Sequence, residues 1–413
     1  MSQSGQFAVV EDGSITTPLG FRATGLHCGL KKTSRNDLGA IICEVPANAA
    51  GVYTTNAFQA APLGVTRESI AKEGKLQAMV VNSGNANACT GTQGDADARE
   101  MRAAAAAAFG VAEHYVGVTS TGVIGELLPM EKIRRGIAEL PGKLAAGGAG
   151  LEGGEDFCQA ILTTDLVQKM VCVRLSVGGK TVNIAGAAKG SGMIHPNMAT
   201  MLGFMTTDAA VDSEVLGALL RGMTDETFNM ITVDGDTSTN DMVVVMASGL
   251  AGNETLNPQH ADWAAFAAGF RYVAEYLAKA IARDGEGATK LIEVTVGGAA
   301  SVDAARAIAK TVIGSSLVKS ACYGADANWG RIIAAVGRSG QPVRTDAVDI
   351  RLGDIPVLVQ SQPVPFDDAA ATEYLKGELV QIVIDLHMGL HTATGWGCDL
   401  TYDYVRINAA YRT

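Results

Sequence analysis

The sequence predicts a mixed α/β protein. Short apolar runs bounded by turn residues recur along the chain, and between them lie stretches with apolar residues at helical spacing. Glycine is abundant, at 49 of 413 residues, while aromatics reach only 5%. That balance suits tight turns and close contacts between small residues. With 47% hydrophobic residues the chain can bury a sizeable core, and its length allows two or three domains.

The elements read as follows. Residues 40–45 and 51–54 read as two strands. Residues 78–81 read as a short strand ending in a polar loop, Asn82-Ser83-Gly84-Asn85-Ala86-Asn87. Residues 95–109 read as a helix with a charged start and six alanines at 103–108, alanine being the strongest helix former. Pro141 and glycines 142, 147, 148, 150, 153 and 154 make residues 141–154 the strongest loop or linker signal. Residues 170–175 and 181–185 flank Gly178-Gly179 and read as a hairpin.

Residues 201–205 are almost continuously apolar, as a buried strand is. Residues 261–283 carry Trp263, Phe266, Phe270, Val273, Leu277 and Ile281 on one stripe, the mark of an amphipathic helix. Residues 302–312 read as another helix. Beyond Val343 strands dominate, at 347–352, 355–359 and 379–386. No fixed-period repeat is visible; the tripeptide Thr-Thr-Asp at 163–165 returns at 206–208.

Charge excludes several functions. The net charge is −11 with no long basic run, which disfavours nucleic acid and anionic membrane as partners. The seven cysteines are odd in number with no C-x-x-C pair, and most of them read as reduced core thiols of a cytoplasmic protein. The first residues lack a basic and an apolar leader region, and the longest apolar stretch, around 242–250, is too short to span a bilayer.

The chemistry centres on Lys189-Gly190-Ser191-Gly192-Met193-Ile194-His195-Pro196-Asn197-Met198-Ala199-Thr200. A threonine hydroxyl is a weak nucleophile until a base takes its proton. If the chain is cut before Thr200, the freed α-amine is such a base, with an ordinary pKa of roughly 7.7–8.0. Ala199 puts little bulk around the scissile carbonyl.

This stretch resembles the processing site of the ornithine acetyltransferase family, the glutamate N-acetyltransferases of arginine biosynthesis. Further segments resemble the same family in the same order: Thr121-Gly122-Val123-Ile124-Gly125, Asp284-Gly285-Glu286-Gly287-Ala288-Thr289-Lys290, Asp326-Ala327-Asn328-Trp329-Gly330-Arg331 and the tail Asn408-Ala409-Ala410-Tyr411-Arg412-Thr413. The resemblance runs from about Thr17 to the last residue.

It implies a layered α/β sandwich of the N-terminal-nucleophile-like aminopeptidase and ornithine acetyltransferase type, with a smaller C-terminal lobe at roughly 285–413. It implies self-cleavage between Ala199 and Thr200 into interleaved fragments 1–199 and 200–413, assembled two plus two. Thr200 is then the nucleophile, and Thr121 and Gly122 stabilise the oxyanion through a hydroxyl and a backbone N–H. Thr163, Thr164, Lys189, Glu286, Asn408 and Thr413 contact substrate. The implied reaction moves acetyl from N-acetylornithine to glutamate, with acetyl-CoA as a further donor, no cofactor and no metal. Lys189 suits a substrate carboxylate, and Glu286 suits the side-chain ammonium of ornithine.

Other signals carry less. Gly84–Ala88 and Gly190–Gly192 match no phosphate-binding glycine pattern. His387 and His391 are four apart, but Gly389 lies between them and a loop or strand end fits better than a metal pair. Residues 234–241 lack the glycine and glutamate of a calcium loop and read as a polar loop near the active site. His195 reads as a loop side chain lining the pocket. Two competing functions remain: a threonine-dependent amidohydrolase or aminopeptidase on a related fold, and a catalytically silent α/β binding protein.

Overall fold

The computed structural model describes residues 6–195 and 201–410. The chain forms two compact units: Met1–Gly190 with Asn197–Asp225 and Thr237–Leu277, and Ser191–Pro196 with Glu226–Asp236 and Ala278–Thr413.

In chain order the strands are β1 (Ala8–Val9), β2 (Phe21–Leu26), β3 (Leu38–Tyr53), β4 (Lys75–Asn85), β5 (Val116–Val123), β6 (Lys169–Val177), β7 (Lys180–Lys189) and β8 (Leu202–Thr207). They continue with β9 (Ile231–Thr232), β10 (Met242–Ala247), β11 (Leu291–Ala299), β12 (Asp349–Leu352), β13 (Ile355–Val359), β14 (Gln362–Pro363), β15 (Leu379–Asp385) and β16 (His391–Cys398). The helices are α1 (Ala61–Glu73), α2 (Gly91–Phe109), α3 (Met130–Gly147), α4 (Leu151–Ile161), α5 (Ser213–Glu226) and α6 (Trp263–Arg283). After them come α7 (Val302–Ile313), α8 (Ser316–Tyr323), α9 (Trp329–Gly337), α10 (Asp368–Leu375) and α11 (Tyr402–Ala409). The α/β class read from the sequence is borne out.

The first unit is built on a nine-stranded sheet in the order β1-β6-β7-β8-β10-β3-β4-β5, with β2 also paired to β3. Its strands are apolar on both faces because both faces are covered. Ala40, Ala78, Val80 and Val118 pack with Met101 and Ala105 of α2 and Ile133 and Ile137 of α3. Ile41, Met79, Val81 and Val244 pack with Phe157, Cys158 and Ile161 of α4. Phe157 meets Phe204 of β8 edge to face, ring centroids 5.2 Å apart. The expected hairpin is β6–β7; its turn residues Gly178 (φ 55°) and Gly179 (φ 77°) both take the left-handed conformation that a two-residue turn demands.

Three sequence expectations are corrected. The two strands at 40–45 and 51–54 are one strand, β3, whose ladder to β4 shifts register between Ile42 and Ala47, around Pro46. The polar segment from Asn82 is not a loop at its start, since β4 runs on to Asn85 with Asn82, Ser83 and Asn85 buried. Residues 141–154 are not a linker. Pro141 lies inside α3, held by buried Ile137, Leu140 and Leu144. Gly153 and Gly154 lie inside α4, where a Cβ would come 2.5 Å from Ala23 O and 2.5 Å from Ser14 Cβ respectively. Those glycines mark close helix approach rather than chain flexibility.

The predicted helix at 261–283 is α6, with Phe266, Phe270, Val273, Leu277 and Ile281 fully buried. In the first unit it rests on β7 at Gly186, where a Cβ would meet Val273 Cγ1 at 2.8 Å and Leu277 Cδ1 at 2.7 Å. The predicted strand at 201–205 is β8, parallel to β10 and antiparallel to β7.

The second unit holds a seven-stranded sheet in the order β14-β13-β12-β15-β11-β16-β9. The helix and strands expected beyond 302 are present as α7, β12, β13 and β15. Helix α7 buries Ala305, Ile308, Ala309, Val312 and Ile313. Strand β16 lets it approach through Gly395 and Gly397, whose Cβ positions lie 3.1 Å and 3.3 Å from Ile313 atoms.

Candidate active site

Thr121 and Gly122 lie near the end of β5, buried and half-buried, in register with Ser83 and Gly84 of β4. Gly122 has φ 136°, and a Cβ there would fall 2.3 Å from the Gly84 carbonyl carbon and 2.5 Å from Asn85 N. Only glycine fits, so the backbone bends where no side chain intrudes. The polar stretch of β4 frames this bend. Asn82 Oδ1 accepts from Ser120 Oγ at 2.6 Å, and Asn85 Nδ2 donates to Glu126 O and Leu127 O, each at 3.1 Å. Asn240 Nδ2 donates to Ser120 O at 2.8 Å and to Ala86 O at 2.5 Å.

Lys189, the last residue of β7, is buried, and its Nζ donates to Thr121 Oγ1 at 3.2 Å. Thr121 Oγ1 accepts that bond and keeps its own proton free to donate elsewhere. The next residue is fixed by Asp165: Gly190 N donates to Asp165 Oδ1 at 2.6 Å, and Thr163 N to Asp165 Oδ2 at 3.0 Å. Lys169 Nζ bonds Asp165 Oδ1 at 2.8 Å, both side chains being fully buried. Burial pushes the Asp165 carboxyl up, but Lys169, Lys189 and these bonds outweigh it and hold the group down at about 2. One carboxylate therefore ties the Thr163–Thr164 turn, half-buried, to the end of β7.

Asp241 differs. It is buried just before β10, and among the described residues its Oδ2 has no hydrogen-bond partner. Burial raises its pKa well above the ordinary carboxyl value; Ser238 and Lys189 oppose the rise without cancelling it. The two buried aspartates that interact with Lys189 are thus shifted in opposite directions, Asp165 down and Asp241 up.

In the second unit, Glu286 is buried. Asn408 of α11 donates through Nδ2 to Glu286 Oε2 at 2.7 Å. Glu286 N bonds Ser191 O at 3.0 Å, and Ser191 Oγ bonds Asp284 O at 2.7 Å. Asp234 accepts from Met193 N at 2.7 Å and Ile194 N at 2.8 Å. His195 is half-buried, with Nδ1 3.0 Å from Thr232 Oγ1. Burial and the Lys310 ammonium push its pKa down to about 4 against the pull of Asp234, so it is neutral at ordinary pH. His391 opens β16 and His387 lies in the preceding loop, its Nε2 2.8 Å from Asp349 Oδ2; they form no metal pair.

Two clusters of the expected site residues are thereby assembled: Thr121, Gly122, Lys189 and Thr163 in the first unit, Glu286 with Asn408 in the second. Ala199, Thr200 and Thr413 lie outside the described residues. Sequence reading missed Asp165 and Asp241. Their signals were present: an aspartate four before a lysine in the repeated Thr-Thr-Asp, and an acid directly before six apolar residues.

Fold and site together define a mixed α/β enzyme. The chain belongs to the ArgJ family, which it matches across residues 22–413. That membership bears out the resemblance carried by the motifs. The chain is 59% identical over 411 residues to the arginine biosynthesis bifunctional protein ArgJ of Geobacillus kaustophilus, covering 100% of this chain and 99% of that protein. It is 60% identical over 405 residues to the protein of the same description from Halalkalibacterium halodurans, covering 98% and 97%. The crystal structure of the arginine biosynthesis bifunctional protein ArgJ from Bacillus halodurans is 60% identical, covers 51% of this chain and 100% of its own, and superposes with a TM-score of 0.51.

Proposed function

We propose that this chain transfers the acetyl group of N-acetylornithine to glutamate through an acetyl ester on Thr200, yielding ornithine and N-acetylglutamate for arginine biosynthesis. The observation that carries the reading is the buried Lys189 ammonium held 3.2 Å from the Thr121 hydroxyl beside Gly122, in a member of the ArgJ family. With Lys189 donating to it, the Thr121 hydroxyl is free to donate its proton to an oxyanion. Such a donor is worth roughly 2.7–4 kcal/mol in the transition state of acyl transfer.

The steps balance. The Thr200 α-amine takes the hydroxyl proton, the Thr200 oxygen bonds the acetyl carbon, and the C–N bond of N-acetylornithine breaks. The departing ornithine nitrogen receives the proton from the Thr200 amine. Glutamate then enters, its amine attacks the ester, and the same proton path runs backwards. Glu286 and Asn408, with Thr413, are proposed to recognise ornithine, Glu286 through the side-chain ammonium. Thr163 and Thr164 are proposed as substrate contacts on the side held by Asp165. We read the second activity in the relatives' description as acetylation of glutamate from acetyl-CoA, with no bound cofactor.

Thr200 gains its amine by self-cleavage after Ala199. Two observations support this. The solved relative's whole chain matches only about half of the present one, 51%, whereas curated relatives match it end to end. And β8 and β10, which follow the proposed cut, lie inside the sheet between β7 and β3, which precede it. Fragments 1–199 and 200–413 would remain interleaved, two of each per assembly. Among the described residues no helix is long and apolar enough to cross a membrane. All seven cysteines are free, which supports a reducing, cytoplasmic setting.

Mass spectrometry of the protein after brief exposure to N-acetylornithine tests the reading. The expected result is two fragments meeting at 199/200 and one acetyl group on Thr200. An intact single chain that still transfers acetyl would overturn it, as would turnover by Thr200→Ala.

A further inference from the structure

The Thr121–Gly122 bend is held from both sides by one side chain that none of the roles above uses. Asn240 lies two residues before β10 and is buried. Its Nδ2 donates to Ser120 O at 2.8 Å, directly before the bend, and to Ala86 O at 2.5 Å. Ala86 N in turn donates to Val123 O at 2.9 Å, directly after the bend. A closed path therefore runs from the Asn240 amide through Ser120, Thr121, Gly122 and Val123 and back through Ala86. The other end of the amide is fixed too, since its Oδ1 accepts from the Thr239 hydroxyl. Only the NH2 of an amide can face two carbonyls, so the orientation of Asn240 follows from its partners.

The segment that carries Asn240 is itself anchored. Thr54 N donates to Asp241 O at 3.0 Å and Ala60 N to Thr239 O at 2.9 Å. Thr54 Oγ1 donates to Ser238 O at 2.9 Å, and Asn240 N donates to Ser238 Oγ at 3.1 Å. The bend needs such an anchor. Gly122 has φ 136°, a conformation that glycine enters and leaves at little cost. The strand ladder does not supply the anchor alone, because the register between β4 and β5 shifts at Gly84 and Asn85, beside the bend. A bonded peptide group on either side restricts where the Thr121 hydroxyl and the Gly122 N–H point. In acyl transfer a displacement of about 1 Å in such groups costs on the order of a hundredfold in rate.

We propose that Asn240 is the positioning residue of the oxyanion site: its amide holds the Ser120 and Ala86 carbonyls so that Thr121 Oγ1 and Gly122 N meet the developing oxyanion. The inference rests on the acetyl-transfer reading and adds to it a residue that touches no substrate. Asn240 belongs to residues 200–413, whereas the bend and Ala86 belong to residues 1–199. The donors supplied by one proposed fragment are thus aimed by the other. No bond is made or broken at Asn240. The same oxyanion forms twice, once as acetyl enters the enzyme and once as it leaves. Both half-reactions therefore depend on Asn240 equally, and neither substrate needs it in order to bind.

The test compares the wild-type full chain with Asn240→Ala and with the isosteric Asn240→Asp. Rates are counted per chain carrying Thr200 as its mature N-terminus and are taken below the onset of melting. Both variants should lose about a hundredfold in kcat for acetylation by N-acetylornithine, and as much for transfer to glutamate. The dissociation constants of both substrates should stay within about twofold. A variant that melts lower yet keeps its kcat overturns the proposal, because Asn240 would then serve the fold alone. A loss confined to KM, or to one half-reaction, overturns it too. Thr121→Ala combined with Asn240→Ala should lose much less than the product of the two single losses; losses that multiply in full overturn the proposal. p-Nitrophenyl acetate, an acetyl donor with no amino-acid part, keeps the two readings apart. If wild type takes acetyl from it but not from N-acetylornithine, the substrate has been misread, whereas slower acetylation in the Asn240 variants still upholds the positioning role.

Discussion

A Cβ on Gly192 would stand 2.4 Å from the Glu286 carboxyl carbon and 2.5 Å from each of its oxygens. The glycine-rich step after Lys189 therefore makes room for a buried acid of the same unit. Gly192→Ala should displace the Glu286 carboxylate and break its 2.7 Å bond from Asn408. If Glu286 receives the ornithine ammonium, the KM for N-acetylornithine rises about tenfold or more, while the KM for glutamate changes little. Steady-state kinetics with each substrate varied in turn checks this. An equal rise for both would assign the effect to general disorder.

Asp165 and Asp241 are both buried near Lys189, and they should respond oppositely to amide substitution. Asp165→Asn removes the ionised partner of a fully buried lysine, which costs roughly 3–5 kcal/mol. Burial pushes the Asp241 carboxyl towards its protonated form, so Asp241→Asn should cost only about 1 kcal/mol or less. Thermal melting of the two variants side by side measures the contrast. A fall in Asp241→Asn as large as that in Asp165→Asn would mean that Asp241 is ionised.

Asp165 and His195 both weaken the fold in acid, over different pH windows. Asp165 has a depressed folded pKa, so its contribution to stability is present above the ordinary value of 3.8 and is lost as pH falls towards about 2. His195, also depressed, stays neutral when folded but takes a proton when unfolded. It costs stability as pH falls from 6.5 towards about 4 and contributes nothing above that range. Its imidazole resonances should be constant from pH 8 to pH 5.5 in NMR spectra. A midpoint near 6.5 would contradict the buried contact with Thr232.

Much of this was legible in the chain, and the misreadings share a cause. Helix α6, strand β8 and the β6–β7 hairpin follow from local periodicity and turn chemistry, because their burial is uniform along each element. Helices α3 and α4 were hidden by glycine and proline counts. Gly153 and Gly154 are there because Ala23 of β2 and the loop at Ser14 pass too close for a side chain, a fact no local pattern contains. The same limit applied to the site. Thr121, Gly122 and Lys189 were named from motifs, but Asp165 and Asp241 matter through their burial, which depends on elements far away in the chain.

The interior position of β8 and β10 has a consequence for how the enzyme dies. Before the proposed cut, an unfolded chain can close its sheet again on its own. Afterwards, the strands on either side of Leu202 belong to separate molecules, and rejoining them is an encounter whose rate falls with dilution. Heating the mature protein at low concentration should thus be a one-way event. Its durability is a half-life rather than an equilibrium, and each molecule gets a single opportunity to fold.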